Sequence, residues 1–355
     1  MNDAFQRLMA DATNLTRSGD LRAATAAIQA ALSGGFTATN AAIDDVAVIE
    51  GESREIKDEG TSSNASVPTN AQFISGSHTD KFGSRDYKLF IPPDSALKPL
   101  PLVVMLHGCT QNPDDFALGT GMNDAGLAQR FFVLYPAQTQ NANASRCWNW
   151  FMRSHQQRDL GEPALLANMT LDVMANYNID RQRVYVAGLS AGGAMAAILG
   201  DAYPDVFAAV GVHSGLATGS AKDVQSAFGV MNSGVSTGAS RSAHDAARET
   251  PPTIVFHGDQ DTTVSPLNGV RVAAVSAENS AVEIERGHSG NGRSFTRSLY
   301  RKGNGDITTE HWVVHGAAHA WSGGSARGSY TDAHGPSATH EMLRFFFTHT
   351  LKNSR

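Results

Sequence analysis

The chain has 355 residues, of which 41% are hydrophobic and 17% are charged, and its formal net charge is −6. These values are ordinary for a globular enzyme and leave room for one large α/β domain with an appendage. Acidic and basic residues are interspersed, which excludes the basic stripe of a nucleic-acid-binding protein. No apolar run is long enough to predict an integral membrane segment.

The first 71 residues are predicted to form an appendage and a linker. Apolar residues recur at helical spacing on both sides of Ser18-Gly19-Asp20, which predicts a helical hairpin over residues 1–33. Residues 34–71 are rich in Gly, Ser, Thr, Asn and Asp, a composition typical of a flexible linker. The N-terminus lacks the basic start and apolar stretch of a signal peptide. This predicts either a cytoplasmic protein or an export signal outside the sequence.

From residue 72 onward, short apolar runs alternate with helical stretches. The predicted strands are Tyr87–Ile91, Leu102–Leu106, Phe131–Tyr135, Arg183–Gly188, Phe207–Val212, Thr253–Phe256 and His311–Val314. The predicted helices are Pro163–Asn176, Ala191–Ala202 and Thr339–Leu351. Continuous apolar strands that alternate with helices are typical of parallel sheets. The expected fold class is therefore α/β, a three-layer sandwich with a mostly parallel sheet over residues 72–355.

A candidate nucleophile lies between a predicted strand and a predicted helix. Residues 188–192 match the pattern G-x-S-x-G, with Ser190 at its centre. In this context the pattern predicts a sharp strand-to-helix turn that exposes the serine hydroxyl. The N-terminus of the following helix offers free N–H groups and a positive dipole end to a developing oxyanion. The alternative is an ordinary glycine-rich turn.

A nucleophilic serine needs a base, and the base needs an orienting acid. Two aspartates, Asp259 and Asp261, follow the predicted strand Thr253–Phe256. A carboxylate at that position lies at the ligand-binding edge of a parallel sheet. Asp261 is the preferred acid because Asp259 directly follows Gly258 and is better placed to hold the turn.

The predicted base is His319, one of 13 histidines in the chain. It lies on the loop after the predicted strand His311–Val314, from which a side chain can reach back to Ser190. His311 and His315 flank the same strand and are the alternatives. His315 ends the strand instead of lying on the loop, which favours His319.

An oxyanion hole needs a second amide besides the N–H of Ala191. The predicted strand Leu102–Leu106 ends in the turn His107-Gly108-Cys109-Thr110-Gln111. The backbone N–H of Cys109 is the predicted donor, and that of Thr110 is the alternative. Cys109 is not expected to be a nucleophile, because a serine already occupies the nucleophile turn. Gln111, at the end of the same turn, is predicted to contact substrate.

Five motifs in order resemble the polyhydroxybutyrate depolymerase family of esterases, which is related to the acetylxylan and feruloyl esterases of carbohydrate esterase family 1. The motifs are HGCTQ (107–111), CWNWF (147–151), GLSAGG (188–193), HGDQDTTV (257–264) and HAWSGG (319–324). The resemblance covers roughly residues 72–350. It implies the α/β-hydrolase fold, the triad Ser190, Asp261 and His319, and Cys109 in the oxyanion hole.

The chain differs from secreted members of that family. No polymer-binding domain or Ser/Thr-rich connector is recognisable at its C-terminus, and no signal peptide is recognisable at its N-terminus. Soluble esters or short oligomers are therefore the expected substrates. The expected reaction is two-step acyl transfer to water, with no metal or organic cofactor. An acyltransferase, a peptidase and an inactive binding protein with a hydrolase fold are the alternatives.

Three tryptophans near the motifs are predicted to bind substrate. Trp148 and Trp150 belong to one aromatic cluster, and Trp321 follows the predicted base by two residues. Aromatic rings offer flat walls to an acyl chain or a sugar, although core packing is an equal alternative for Trp148 and Trp150. The two cysteines, Cys109 and Cys147, have no metal-ligand spacing. The sequence leaves open whether they form a disulfide, because it does not show the geometry that a bridge requires.

Overall fold

The computed structural model describes residues 71–234, 250–277, 280–290 and 292–351. The predicted helical hairpin over residues 1–33 lies outside the described residues, as does the predicted linker over residues 34–71 except for its last residue. None of the described helices is long and apolar enough to cross a bilayer.

Ten of the described strands form one sheet. In chain order they are β1 (Gln72–Asp80), β2 (Gly83–Ile91), β3 (Leu100–Leu106), β4 (Phe132–Pro136), β5 (Ile179–Leu189), β6 (Ala209–His213), β7 (Thr253–Gly258), β8 (Ala281–His288), β9 (Ser294–Arg301) and β10 (Ile307–Val314). Their order across the sheet is β1-β2-β4-β3-β5-β6-β7-β10-β9-β8. Two short strands, β11 (Trp321–Ser322) and β12 (Thr331–Asp332), pair in parallel in a separate sheet.

The centre of the large sheet is parallel and its two ends are antiparallel. Strands β4, β3, β5, β6, β7 and β10 run in the same direction. The hairpin of β1 and β2 flanks them at one end, and β9 with β8 flanks them at the other. The register aligns Leu106 with Gly188, and Leu189 with His213. The loops that follow these strands therefore emerge at one edge of the sheet.

Helices cover both faces of the sheet. They are α1 (Pro113–Thr120), α2 (Met122–Gln129), α3 (Gly161–Asn176), α4 (Ala191–Ala202), α5 (Val224–Ser233), α6 (Leu267–Ser276) and α7 (Ala338–Phe346). Because side chains alternate along a strand, β3 contributes to two cores. Leu102 and Val104 pack with residues of α3 and α4, whereas Val103 packs with residues of α1 and α7. The result is the three-layer sandwich that the alternation of strands and helices predicts.

The observed elements differ from the predicted ones at their ends, at the margins of the sheet and in four helices that the sequence does not predict, α1, α2, α5 and α6. The closing helix α7 ends at Phe346, five residues before the predicted Leu351. The sequence does not predict the edge strands β1 and β8, or β9 next to β8. Their residues are mostly half-buried or exposed, so they lack the continuous apolar runs that mark the central strands.

Candidate active site

Ser190 occupies the turn between β5 and α4 in a strained backbone conformation. Its φ is 59° and its ψ is −119°, a region that residues other than glycine rarely adopt. The Ser190 N–H donates to the carbonyl oxygen of His213 at 2.9 Å, which fixes the turn against β6. A Cβ on Gly192 would lie 2.6 Å from the His107 carbonyl oxygen, so the turn requires glycine there. The serine therefore lies at the carboxyl edge of the sheet, at the N-terminus of α4.

Asp261 and His319 form a hydrogen-bonded pair at the same edge. The Nδ1 of His319 lies 2.7 Å from Oδ2 of Asp261. The other carboxylate oxygen accepts the N–H groups of Thr263 at 2.9 Å and Val264 at 2.8 Å. An ionised carboxylate only accepts, so Nδ1 carries the proton and Nε2 is left as the basic nitrogen. This is the tautomer that a general base requires.

A second imidazole contacts the same carboxylate. Nε2 of His257 lies 3.4 Å from Oδ2 of Asp261 and 2.8 Å from the carbonyl oxygen of Val264. Burial alone raises the pKa of Asp261, but the interactions with His257 and His319 outweigh burial and hold that pKa well below its usual range. Asp261 is therefore a permanent anion beneath His319.

His213 connects the nucleophile turn to the loop of the predicted base. Its carbonyl oxygen accepts from Ser190, and its ring Nε2 accepts the N–H of Ser322 at 2.9 Å, three residues after His319. The hydrogen bonds of the described residues do not include one between the Ser190 hydroxyl and His319. Such bonds are commonly long in enzymes without substrate and tighten when it binds.

The alternative acid and base pair with each other instead. Nδ1 of His315 lies 2.9 Å from Oδ2 of Asp259, and the N–H of Gly316 donates to Oδ1 at 2.7 Å. Nε2 of His315 lies 2.9 Å from the hydroxyl of Thr296 on β9. Asp259 thus holds the turn after β10, whereas the sequence suggested that it holds the turn after its own strand, β7. The remaining alternative, His311, is buried within β10.

The turn after β3 packs against the nucleophile. A Cβ on Gly108 would lie 3.6 Å from the Cβ of Ser190. The amides of Cys109 and Ala191 donate to no acceptor among the described residues. Both predicted oxyanion-hole donors are therefore free to bind an oxyanion.

The prediction that Gln111 contacts substrate is not supported, because its side chain is buried beneath this turn. Its Oε1 accepts the N–H of Gly108 at 2.9 Å. Its Nε2 donates to Asp115 at 2.9 Å and to the carbonyl oxygen of Ser329 at 3.1 Å. Both polar atoms of its side chain bond within the protein. Gln111 therefore supports the turn His107–Gln111, called the oxyanion turn below, from its buried side.

The tryptophans predicted to bind substrate are likewise in the core. Trp148 is fully buried, and its indole N–H donates to the carbonyl oxygen of His107 at 3.1 Å. Trp321 is 1% exposed, donates to the hydroxyl of Thr339 at 3.0 Å and stacks on His213. Trp150 is 5% exposed and packs edge-on against Phe151. None of these rings presents a wall to substrate, because each packs against protein.

Cys109 and Cys147 form a disulfide. It joins the oxyanion turn to the loop between β4 and α3, which carries Trp148 and Trp150. The sequence favours surface pairing for Glu162, which follows this loop, but in the structure Glu162 anchors the loop from the other side. Its buried carboxylate accepts the backbone N–H of Asn149 at 2.7 Å and the side-chain amide of Asn149 at 3.0 Å. Burial raises the pKa of Glu162, but hydrogen bonds from His155 and Gln138 lower it below its usual value.

The sandwich, the strained serine turn and the Asp–His pair define an α/β-hydrolase. The sequence model of the family described as "Esterase PHB depolymerase" matches residues 85–279, more than half of the chain. The chain belongs to this family.

Similar curated proteins carry the names of ester hydrolases: depolymerases, acetylxylan esterases and feruloyl esterases. The poly(3-hydroxyalkanoate) depolymerase C of Paucimonas lemoignei is 32% identical over 226 residues, which are 62% of this chain and 54% of that protein. The acetylxylan esterase A of Talaromyces purpureogenus is 28% identical over 214 residues, 56% of this chain and 54% of that protein. The chain thus spans about half the length of the curated relatives it matches.

A solved structure shows the same fold. An acetyl xylan esterase from Aspergillus awamori superposes with a TM-score of 0.59 at 19% identity. The match covers 77% of this chain and 99% of that one.

Proposed function

We propose that the protein is a serine esterase that hydrolyses carboxylic esters through an acyl-enzyme intermediate. One observation carries the proposal: Ser190 sits on a strained turn at a helix N-terminus, at the sheet edge where the His319–Asp261 pair also lies. This combination is the activated-nucleophile arrangement of acyl transfer. Membership of the esterase family supports it.

In the proposed acylation step, Nε2 of His319 takes the proton of the Ser190 hydroxyl as its oxygen attacks the ester carbonyl carbon. The amides of Cys109 and Ala191 stabilise the negative oxygen of the tetrahedral intermediate. His319 then gives its proton to the leaving alcohol, and the C–O bond of the ester breaks. A water molecule repeats both steps, which releases the acid and restores Ser190.

Asp261 serves this cycle electrostatically. Its carboxylate keeps the Nδ1 proton of His319 in place and stabilises the imidazolium that forms twice in each turnover. Because the pKa of Asp261 is held well below its usual range, the carboxylate is ionised at neutral pH.

We propose short hydroxyalkanoate oligomers as the substrate class. The depolymerase relatives from Paucimonas lemoignei and Ralstonia pickettii support this choice at 32% and 30% identity. The second candidate is an acylated carbohydrate, which the similarity to acetylxylan esterase A favours.

The test compares the wild type with Ser190→Ala on a 3-hydroxybutyrate trimer and on acetylated xylooligosaccharides. We expect Ser190→Ala to lower kcat by about 10⁶-fold, to the level set by binding alone. A fluorophosphonate probe should label wild-type Ser190 and leave the variant unlabelled. Wild-type protein that neither reacts with the probe nor hydrolyses either ester would contradict the proposal, and the preferred substrate decides between the two classes.

A further inference from the structure

Tyr330 is an exposed aromatic residue in an unfavourable backbone conformation. Its side chain is 46% exposed, and its φ is 52°, in the left-handed region that a tyrosine rarely adopts. It directly precedes β12, which pairs with β11 just after the predicted base. Backbone strain of this kind persists only where neighbouring contacts enforce it, and it is concentrated at functional sites.

These contacts come from two parts of the proposed active site: the loop that carries His319 and the residues that support the oxyanion turn. The carbonyl oxygen of Tyr330 accepts the N–H of Trp321 at 2.7 Å, two residues after His319. The preceding residue, Ser329, donates its N–H to Asp115 at 2.8 Å, and its carbonyl oxygen accepts from Gln111. The backbone at Tyr330 is thus held on one side by Trp321, in the loop that carries His319, and on the other by Gln111 and Asp115.

The side chain points toward the same turn. The Tyr330 hydroxyl lies 3.3 Å from the hydroxyl of Thr110. Thr110 gives its only hydroxyl proton to the carbonyl oxygen of Cys109 at 2.6 Å, so the phenol is the donor in this contact. The phenol therefore lies next to the oxyanion turn with its hydroxyl already bonded, and Tyr330 keeps nearly half of its surface exposed to solvent.

We propose that the Tyr330 ring is a substrate-binding wall for the part of an ester that extends beyond the scissile carbonyl. A flat apolar ring with an engaged hydroxyl suits the hydrocarbon part of a hydroxyalkanoate chain. This fills the role that Trp148 and Trp321 do not perform, because they are buried. The inference rests on the proposed esterase function, since it takes the oxyanion turn as the place where the scissile carbonyl binds.

The test uses two variants of Tyr330 and a control. Tyr330→Asn removes the ring but suits the left-handed backbone, so we expect it to fold. Tyr330→Phe keeps the ring and removes only the hydrogen bond to Thr110. Leu97→Asn is the control, because Leu97 is 79% exposed and lies before β3, at the opposite edge of the sheet.

The readout is the ratio of kcat/KM for the 3-hydroxybutyrate trimer to kcat/KM for ethyl acetate, which has no extension. We expect Tyr330→Asn to lower this ratio about tenfold through KM, the loss expected when a buried apolar contact is removed. Tyr330→Phe and Leu97→Asn should keep the ratio within about twofold of wild type. An unchanged ratio in Tyr330→Asn, or an equal loss in Tyr330→Phe, would overturn the proposal.

A binding measurement separates this inference from the proposed function. In a Ser190→Ala background, calorimetry gives the Kd of the trimer with and without Tyr330→Asn. A Kd that rises about tenfold supports the wall even if the wild type hydrolyses no ester, a result that would count against the esterase proposal alone. A Kd that does not change overturns the wall, whatever the activity.

Discussion

Two aspartates two residues apart have different partners in this structure. Asp261 is buried, accepts two backbone N–H groups and contacts His257 and His319. Asp259 is half-exposed and fixes the turn at Gly316 together with His315. Both carboxylates pair with a histidine, so pairing alone does not distinguish a catalytic acid. What distinguishes Asp261 is that its histidine lies on the loop joined through Ser322 and His213 to the nucleophile turn.

We predict that Asp261→Asn and Asp259→Asn differ sharply in activity. Asparagine at 261 would donate where the carboxylate accepts, which favours the wrong tautomer of His319 and lowers kcat by about 10⁴-fold. Asp259→Asn should lower kcat by less than about tenfold, because it loosens only a turn. Steady-state kinetics on ethyl acetate, with circular dichroism as a check of folding, measures both. A greater loss in Asp259→Asn would assign the acid to the other pair.

Residues at strand ends are predictable from the sequence, whereas the burial of a particular side chain is not. Ser190, Asp261 and His319 each follow an apolar strand, so local patterning places them at one edge of the sheet. Trp148 and Trp321 lie in the same motifs but point inward, because the carbonyl of His107 and the hydroxyl of Thr339 are their indole acceptors. Those acceptors come from distant parts of the chain, and no local pattern identifies them.

At the level of elements, the loop between β4 and α3 is held at two points. The disulfide joins Cys147 to Cys109, and the carboxylate of Glu162 at the start of α3 binds Asn149. The backbone N–H of Thr110 also donates to the carbonyl of Ser145 in this loop, at 2.6 Å. The oxyanion turn therefore takes its position from a long loop and not only from β3.

We predict that Cys147→Ser lowers the free energy of unfolding by about 4 kcal/mol, the loop-closure value for cysteines 38 residues apart. At a temperature where Cys147→Ser is still folded, its kcat should stay close to that of the wild type. The reason is that the proposed oxyanion donor at Cys109 is a backbone amide, which the substitution keeps. Urea unfolding monitored by fluorescence gives the free energy. Dithiothreitol should destabilise the wild type and leave Cys147→Ser unchanged; equal effects on both proteins would contradict a stabilising bridge.

Central elements are predictable from the sequence because each has a local signature, and marginal ones are not. β3 and β4 are continuous apolar runs, since both their faces are covered by helices. By contrast, β8 is exposed along nearly its whole length, and among the described strands it pairs with β9 alone. Its strand conformation depends on its neighbour in the sheet and not on its own pattern. The helices α1 and α2 were missed because a glycine, Gly121, separates two short apolar segments.

At the level of the whole molecule, the fold buries histidines in four strands or strand ends of the sheet, one of them His257 in β7. His107 follows β3, His213 ends β6 and His311 lies in β10, and all three are buried. Burial lowers the pKa of His107 and His311 to about 4 and that of His213 to about 3. Each is therefore neutral in the folded protein at a pH where the unfolded chain binds a proton.

This arrangement predicts an acid-sensitive fold. A histidine with a lowered pKa contributes full stability above its unfolded value of 6.5, and that contribution is lost as the pH falls from there toward the folded value. Each such group gives the free energy of unfolding a slope of about 1.4 kcal/mol per pH unit in that window. Carboxylates with lowered pKa values, such as Asp261 and Glu162, lose their contribution to stability only at more acid pH, below the usual pKa range of their side chains.

We therefore predict that His213→Gln reduces this slope by about 1.4 kcal/mol per pH unit between pH 5 and 6. Glutamine can still accept the N–H of Ser322, and its lower overall stability does not affect the slope. Guanidinium unfolding at several pH values measures it, with His340→Gln on the exposed side of α7 as the matched control. A slope in His213→Gln equal to that of the control would mean that His213 already carries a proton in the folded protein. A protonated Nε2 of His213 donates and cannot accept the N–H of Ser322. The hydrogen bond that joins the loop of His319 to the turn of Ser190 through His213 would then be absent.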